Sequence, residues 1–287
     1  MVKYRKHKTF KPRKRSIVKP QGISQEEIDL RNAIAYSFPG MAIYESDRHI
    51  LNGKEIDIWI PSRNLGIEYD GLFFHSGEDK SPNYHLNKTL LCEKKGIRLI
   101  HIFSDEWVNK RQVVLDIIRK ALGKYKEIDD FAVELISKQE SDRFLDAYCL
   151  LGPDPRAEGH LGLIYSNNLV AVMTYRETND SLEILRYCEM PGIKMKEGVE
   201  SCLKRIGNIS KPIKAKVDRR ISQGEEFLKA GFTPIEATMP KIYYTSDYKS
   251  KILSDFLRLD ESQIRKKNLH EIYDCGDIVF MKEQFRS

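Results

Sequence analysis

Side chains suited to metal-assisted chemistry are concentrated in one stretch of this 287-residue sequence. Asp57, Glu68 and Asp70 lie on two segments in which apolar and polar residues alternate. Carboxylate oxygens bind a hard divalent cation, and such a cation stabilises charge on a phosphate and generates hydroxide near neutral pH. These carboxylates therefore predict a metal site for phosphodiester hydrolysis, with Mg²⁺ as the cofactor.

Residues suited to proton transfer and phosphate binding follow in the same stretch. A histidine can accept or donate a proton, a lysine can hold a phosphate, and Glu27 could reach the metal from the first helix. The same residues also fit ordinary exposed acids, a helix-capping partner and a solvated helix face. The predicted catalytic residues are Asp57, Asp70, His75, His85, Glu68, Lys88 and Glu27, and the predicted metal ligands are Asp57, Glu68 and Asp70.

The elements that must position these residues follow from capping signals and periodicity. Ser24 and Glu27 have capping-box spacing, alternation indicates two strands joined by a turn, and Gly96 marks the end of a helix. This order of helices and strands is typical of an α/β fold in which helices flank a mixed sheet. The predicted elements are a helix from residue 24, strands 55–60 and 65–71, a helix at 83–95, a strand at 97–103 and a helix at 104–122.

Alternation within the two adjoining strands predicts which side chains meet. Successive side chains of a strand point to opposite faces. If Ile56, Ile58 and Ile60 face the core together with Leu65, Ile67 and Tyr69, the intervening carboxylates face the other way. We therefore expect the three carboxylates to line one face of the sheet.

The positive charge of the chain is concentrated at its N-terminus. Residues 1–20 hold nine lysines or arginines and no acid, which leaves 39 basic against 42 acidic residues in the remainder. Such a block repels itself and gains free energy by displacing counterions from a polyanion. We expect a disordered tail that contacts DNA through Lys11, Arg13, Lys14 and Arg15, although a solubilising or localisation tail fits equally.

Composition and length predict two compact units plus tails in a soluble protein. The chain has no apolar run of the roughly 20 residues needed to cross a bilayer and no secretory signal. Its five cysteines are scattered, so neither a disulfide framework nor a zinc site is indicated, and we expect reduced thiols in the cytoplasm. A second unit is predicted from strands at 161–165, 169–175, 182–187 and 213–217 and helices at 199–206 and 225–230, followed by a peripheral helix and a closing strand near 278–281.

The first half of the chain carries four motifs in order: EIDIWIP at 55–61, GIEYDGLFFH at 66–75, YHLNKT at 84–89 and GIRLIHIFSDEW at 96–107. Together they resemble phage homing endonucleases, which are similar to the very-short-patch-repair nickases of the restriction-endonuclease-like PD-(D/E)xK fold. The resemblance implies that Asp57 binds metal, that Asp70 and His75 form the family's Asp-Gly-x-x-x-His signature, and that His85 lies near the scissile phosphate. The nickases' Cys/His zinc site is absent, so a homing role is implied rather than mismatch repair.

The second unit carries YSNNLVAVMT at 165–174, EILRYC at 183–188, DRRISQG at 218–224 and LKAGF at 228–232. These motifs are similar to a GNAT-like (acyltransferase-like) domain appended to several phage homing nucleases. Working acetyltransferases bind the coenzyme A pyrophosphate at a glycine-rich loop, whereas KMKEGVE at 194–200 has one glycine and two acids. We therefore expect this domain to recognise DNA through Arg186, Arg219 and Arg220, although salt bridges within the domain would explain the same arginines.

The resulting prediction is a site-specific, Mg²⁺-dependent DNA endonuclease of the homing type that acts on double-stranded DNA without a membrane or a small-molecule cofactor. Two alternatives stay open: an acetyl-coenzyme A-dependent transferase acting on nucleic acid or protein, and a DNA-binding protein that does not cut. The predicted domains are a basic tail at 1–21, a nuclease domain at 22–125, a GNAT-like DNA-recognition domain at 130–245 and a C-terminal extension at 246–287.

Overall fold

The computed structural model describes residues 24–75, 81–257 and 259–285 of the chain. It confirms the α/β class, with helices packed against several sheets. The elements of the first part are α1 (Gln25–Ser37), β1 (Tyr44–Leu51), β2 (Lys54–Ile60), β3 (Leu65–Asp70), α2 (Leu72–His75), α3 (Tyr84–Glu93), β4 (Arg98–Phe103), α4 (Ser104–Asn109) and α5 (Arg111–Ala121).

The remaining elements form the second part of the chain. They are β5 (Lys126–Ile128), β6 (Ala132–Leu135), α6 (Lys138–Tyr148), β7 (Gly159–Tyr165), β8 (Asn168–Glu177), β9 (Leu182–Glu189), β10 (Ile193–Met195), α7 (Gly198–Ile206), β11 (Ile213–Asp218), α8 (Glu225–Lys229), β12 (Thr233–Ala237), β13 (Ile242–Thr245), β14 (Ile252–Leu253), α9 (Ser254–Leu257), α10 (Glu261–Lys266), β15 (His270–Tyr273) and β16 (Asp277–Lys282).

A four-stranded sheet in the order β1-β2-β3-β4 positions most of the predicted site. Strands β2 and β3 are antiparallel, as predicted, and β3 runs parallel to β4. Strand β1 was not predicted, because its sequence is largely polar and only one of its eight side chains is buried. Helices α1 and α5 pack on one face of the sheet, and α3 covers the other.

The helix predicted at 104–122 is divided into α4 and α5. Lys110, between them, has non-helical backbone angles (φ −132°, ψ 41°) and caps α4 through its backbone N–H. Its side chain donates to the carbonyl oxygen of Cys149 at 2.6 Å. The break therefore anchors the end of α4 to the second part of the chain.

A seven-stranded sheet in the order β12-β16-β11-β9-β8-β7-β6 forms the second part. Strand β16 confirms the closing strand predicted near 278–281, and it lies between β11 and β12. Its adjacent side chains Val279 and Phe280 point to opposite faces and are both buried, and Phe280 belongs to the core of this sheet. The last strand is therefore part of the sheet's interior, and its pairing partners lie far away in sequence.

Buried polar contacts join the two main sheets. Arg220, with no exposed surface, donates to Glu106 at 3.0 Å and to Asp218 at 2.7 Å. The backbone N–H of His101 on β4 also donates to the carbonyl of Arg220 at 3.1 Å. Among the described residues, no helix is long and apolar enough to span a membrane.

Candidate functional site

Asp57 and Glu68 meet where β2 and β3 separate. The last cross-strand pair between them is Ile58 with Ile67, one position before the two acids. The backbone N–H of Asp57 points to Glu68 Oε1 at 3.4 Å, and Asp57 Oδ2 accepts from the backbone N–H of Tyr69 at 2.8 Å. Burial raises the pKa of Asp57 to about 6, although Lys88 acts in the opposite direction.

Glu68 is buried and forms an ion pair with Lys88, which reaches down from α3. Burial and the charge of Asp57 raise the pKa of Glu68 to about 8. Burial disfavours the charge of Lys88, but the Glu68 carboxylate outweighs that effect, so the pKa of Lys88 is raised. Lys88 was predicted to hold a phosphate, whereas in the structure it neutralises a buried acid.

Asp70 lies between two histidines that are as deeply buried as the aspartate itself. His101 Nδ1 is 2.8 Å from Asp70 Oδ2, and His85 Nδ1 is 3.3 Å from Asp70 Oδ1. The other ring nitrogen of His101, Nε2, lies 2.9 Å from the hydroxyl of Thr89. Potential ligand atoms of the aspartate and both histidines lie within 4.8 Å of one another.

The sequence predicted three carboxylates on one face of the sheet, and two of them are buried beneath α3. Every residue of β3 is buried, and only 3% of Glu68 and 1% of Asp70 is exposed. The physical reason is that α3 covers this face of the sheet, so both acids are neutralised by side chains of α3 and β4. Ile56 was predicted to face the same core as Ile58 and Ile60, but it packs with Trp59 and Cys92 instead.

A pocket of about 600 Å³ opens beside Asp57. Asp57 and Glu27 contribute to its wall, whereas Glu68, Asp70, His85 and Lys88 do not. Burial and the charge of Asp57 raise the pKa of Glu27 to about 7. The complete lining is Ser24, Glu26, Glu27, Asp57, Tyr69, Gly71, Leu72, Phe73, Phe74, Ser104, Asp105, Val108, Asn109, Tyr248 and Lys249.

The donor set at this wall fits a hard divalent cation. Asp57 and Glu27 supply carboxylate oxygens, the ligands that Mg²⁺ prefers. Each acid is partly removed from water, and the charge of Asp57 contributes to the raised pKa of Glu27. A bound cation would relieve that repulsion, because opposite charge favours the ionised form of both acids.

Some predicted residues lie outside what the structure describes. The tail residues Lys11, Arg13, Lys14 and Arg15 precede its first described residue. His75 is the last residue of α2, but the description does not extend to its side chain. The contributions predicted for these residues therefore stay predictions.

The three arginines predicted to contact DNA all make contacts within the chain. Arg220 is fully buried, so the prediction that it touches DNA is wrong in this structure. Arg219 forms two hydrogen bonds to Glu93, at 3.1 and 2.6 Å. Arg186 donates to the carbonyl of Gly152 at 2.8 Å and lies 3.4 Å from Asp154. The alternative of salt bridges within the domain holds for Arg186 with Asp154 and for Arg220 with Asp218, whereas Arg219 pairs with Glu93 in the first part of the chain.

Sequence reasoning missed His101, Thr89 and the aromatic side of the pocket. His101 is a single polar residue within the apolar strand LIHIF, and that irregularity was the available signal. Its partner Thr89 also lies 3.3 Å from the thiol of Cys275, at the opposite end of the sequence. Tyr248, whose ring packs edge-on against Phe73 at 5.0 Å, comes from a segment that no local pattern connects to the pocket.

The second sheet contains one pair of parallel strands that separate. Strands β9 and β11 pair only from Ile213 opposite Leu182 to Ala215 opposite Ile184. Beyond that point Tyr187 on β9 approaches the start of α7, where a Cβ added to Gly198 would lie 2.1 Å from the tyrosine hydroxyl. The Tyr187 hydroxyl donates to Glu189 at 3.0 Å. The side chain of Tyr187 therefore packs against the start of α7.

The chain shows only limited similarity to known proteins. No family model and no curated protein matches the chain. Similar solved structures include a GNAT-family acetyltransferase from Bacillus cereus, with 15% identity over 55% of this chain and 99% of that chain and a TM-score of 0.33. A Bacillus subtilis acetyltransferase in complex with CoA has 14% identity, coverage of 54% and 99%, and a TM-score of 0.30. A PaiA N-acetyltransferase from Thermoplasma acidophilum in complex with coenzyme A has 17% identity, coverage of 43% and 59%, and a TM-score of 0.25.

These findings correct the family resemblance drawn from the sequence. The resemblance to phage homing endonucleases, with the endonuclease, hydrolase and homing functions that it implied, is wrong: the similar solved structures are acetyltransferases, and neither family models nor curated proteins support a nuclease family. The restriction-endonuclease-like assignment of the first sheet likewise has no support among them. At these TM-scores, the likeness itself carries no argument about the activity of this chain.

Proposed function

We propose that the chain holds a divalent cation, with Mg²⁺ as the best fit, at Asp57 and Glu27, and that it binds a phosphate-containing ligand in the adjoining pocket. The observation that carries this proposal is the position of two carboxylates, both with raised pKa values, on the wall of a 600 Å³ pocket. Nucleic acid, double-stranded DNA first, is the proposed source of the phosphate.

The chemistry of the pocket supports a nucleotide-containing substrate. Phe73, Phe74 and Tyr248 supply aromatic surface at the pocket, and bases stack on such rings. Lys249 supplies a cation that can pair with phosphate. Glu26 and Asp105 add acidic groups to the same wall, so a bound anion would need a metal ion to offset their charge.

Residues on the pocket wall would hold the cation, and the buried residues behind them would fix their positions. When bound, a divalent cation would offset charge on the phosphate and lower the pKa of a water molecule. Lys88 offsets the charge of Glu68, and the contact of Glu68 with the Asp57 backbone helps to fix the position of Asp57. Asp70 holds His85 and His101 by their Nδ1 atoms, which fixes the orientation of both rings.

Cation binding by the full chain tests this proposal. Titration with Mn²⁺ followed by electron paramagnetic resonance, or with Mg²⁺ followed by calorimetry, should give one site that Asp57→Asn weakens at least about tenfold, since one charged ligand is lost. Asp130→Asn is the matched control, because Asp130 is exposed and lies outside the pocket. Equal affinity in wild type and Asp57→Asn would overturn the proposed metal site.

A companion measurement tests ligand binding. Binding of linear duplex DNA and of single-stranded DNA to the full chain is measured by fluorescence anisotropy with and without Mg²⁺. We expect an affinity that Mg²⁺ raises, that Asp57→Asn weakens and that Asp130→Asn leaves unchanged. A chain that binds the cation yet binds DNA equally well without it would retain the metal site and lose the ligand part of the proposal.

The second candidate function is acyl transfer from acetyl-coenzyme A. The observation that favours it is the end of the pairing between the parallel strands β9 and β11 at Ala215, the place where an extended thioester would bind. Two features oppose it. The side chain of Tyr187 fills space at the start of α7. The acids Glu197 and Glu200 nearby would repel the phosphates of coenzyme A.

Calorimetry with coenzyme A and with acetyl-coenzyme A separates the two candidates. The first proposal predicts no saturable heat with either compound in the presence or absence of Mg²⁺. Saturable binding that is weakened by a substitution beside the strand separation, Gly198→Val, and unaffected by Asp57→Asn would favour the transferase.

A further inference from the structure

The buried cluster of one aspartate and two histidines is formed by three different elements. Asp70 ends β3, His85 lies on α3 and His101 lies on β4. His101 Nδ1 is 2.8 Å from Asp70 Oδ2, and His85 Nδ1 is 3.3 Å from Asp70 Oδ1. The two imidazole rings are perpendicular, with centroids 5.2 Å apart. Each element therefore contributes one potential ligand atom to a space in which all three atoms lie within 4.8 Å of one another.

Thr89 determines which nitrogen of His101 carries a hydrogen atom. The Thr89 hydroxyl donates its single hydrogen to the carbonyl oxygen of His85 at 3.0 Å. It can therefore only accept from His101 Nε2, which lies 2.9 Å away, so Nε2 carries a hydrogen. In a neutral imidazole the lone pair is then on Nδ1, the nitrogen that faces Asp70. Metal-binding histidines have the same arrangement, because the nitrogen that does not bind the metal donates to a neighbouring oxygen.

The contact between His101 Nδ1 and Asp70 requires a positive charge. A lone pair and a carboxylate oxygen repel each other at 2.8 Å unless such a charge lies between them. Lys88, the buried lysine of α3, is paired with Glu68. A second proton on His101 would supply the charge to one pair of atoms only. A metal ion would supply it to the aspartate and to both histidines at once.

We propose that Asp70, His85 and His101 bind one transition-metal ion, with Zn²⁺ as the best fit, which ties α3 to β3 and β4. Imidazole nitrogen suits Zn²⁺, whereas Mg²⁺ prefers oxygen ligands. Zn²⁺ lies about 2.0–2.2 Å from such ligands, so ligand atoms at angles of about 90–110° around the ion are about 2.8–3.6 Å apart. The separations of 2.8 and 3.3 Å fall within that range. A water molecule would complete the tetrahedral coordination that Zn²⁺ prefers.

This zinc site is separate from the cation site proposed at Asp57 and Glu27. It uses other side chains, and none of its three ligands lines the pocket. Because the ligands are buried, the ion would be bound as the chain folds, and it would raise the melting temperature of the folded chain. The role of the ion is therefore structural, and it is independent of the proposed function.

The metal content of the full chain tests the proposal. The chain is unfolded, refolded with excess Zn²⁺, freed of unbound metal by gel filtration and analysed by plasma mass spectrometry. Wild type should retain one Zn²⁺ per chain. His85→Gln and His101→Gln should each retain at least about tenfold less, since even the loss of an outer partner of a metal ligand weakens binding about 10–100-fold. His160→Gln replaces a buried histidine of the second sheet and should retain the wild-type amount, as should Asp57→Asn.

X-ray absorption by the zinc-loaded wild type gives a reading that depends on no variant. The spectrum should show two imidazole ligands and no sulfur. Sulfur among the ligands would place the ion at a cysteine and would overturn the proposal. Thr89→Val keeps all three ligands and removes only the oxygen partner of His101, so it should weaken zinc binding about tenfold in competition with a chelator.

Contrary results are equally specific. Wild type that retains no zinc would overturn the proposal and would leave a second proton on His101 to offset Asp70. Equal zinc in wild type, His85→Gln and His101→Gln would show adventitious binding elsewhere and would overturn it as well. Zinc that is lost only in Asp57→Asn would assign the ion to the pocket wall instead. Circular dichroism of the two histidine variants distinguishes loss of the ion from loss of the fold.

Discussion

At the scale of single residues, the main feature of the site is a pair of carboxylates that are partly removed from water. Glu27 and Asp57 both have raised pKa values, and burial is the largest cause for each. Their neutral forms are therefore favoured more strongly in the folded chain than in the unfolded chain. Their contribution to stability is fully present below about pH 4 and is lost as the pH rises through about 6 and 7.

The melting temperature should record this loss. In a chelator, the wild type should melt at a lower temperature at pH 8 than at pH 5, and Mg²⁺ should restore part of the difference at pH 8. Glu27→Gln should reduce the loss of stability between pH 5 and pH 8 by about 1–2 kcal/mol, after allowance for the partial exposure of Glu27. This corresponds to roughly 4 °C in melting temperature. Glu134→Gln, at an exposed position on β6, should leave the slope unchanged; an equal slope in both variants would contradict the pKa assignment of Glu27.

At the scale of elements, the covering of β3 by α3 decides what each acid can do. The hairpin β2-β3 was predicted from alternation, and its antiparallel pairing is confirmed. Alternation also predicted that Glu68 and Asp70 share a face, but it carried no information about the element that covers that face. Lys88, His85 and Thr89 arrive from a helix whose docking depends on packing against Trp59 and Leu99 across the sheet.

The turn at Gly276 allows a test of how closely two chain segments approach each other. Gly276 joins β15 to β16 with φ +71°, and a Cβ there would lie 2.3 Å from the backbone oxygen of Thr238. Gly192 has φ +80° and has no atom within 4 Å of its Cβ position. An alanine at either position must adopt a left-handed backbone conformation, which costs about 1 kcal/mol. Only Gly276→Ala also creates a clash with another backbone segment.

Gly276→Ala should therefore lower the free energy of unfolding by at least about 2 kcal/mol more than Gly192→Ala in urea titrations, because the backbone around Thr238 has to shift. Equal losses in the two variants would mean that the turn at Gly276 relaxes without cost, and the close approach of the two chain segments would be refuted.

For the whole molecule, a buried ionic network connects the two main sheets. Arg220 pairs with Glu106 and Asp218, and Lys251 also pairs with Glu106. The guanidinium of Arg220 lies over the ring of Phe103 at 4.9 Å. Because these groups are removed from water, the loss of one partner leaves charge that neither solvent nor protein compensates.

Arg220→Met should lower the free energy of unfolding by about 3–5 kcal/mol, because it leaves Asp218 and part of the Glu106 charge unpaired. Arg205→Met, at an exposed position on α7, should cost less than about 0.5 kcal/mol. Adding Glu106→Gln to Arg220→Met should recover part of the loss, and urea titrations measure all four proteins. A loss below 1 kcal/mol in Arg220→Met would show that the network does not hold the sheets together.

The sequence by itself determined the α/β class, most elements of both sheets, and the candidate acids, because periodicity and capping are local properties of the chain. The tertiary structure decided which of those acids reach a pocket. Glu68 and Asp70 are covered by α3, His101 and Thr89 complete their surroundings, and Tyr248 closes the pocket from a distant segment. Burial and ion pairing depend on contacts between residues far apart in sequence, and a local pattern carries no information about such contacts.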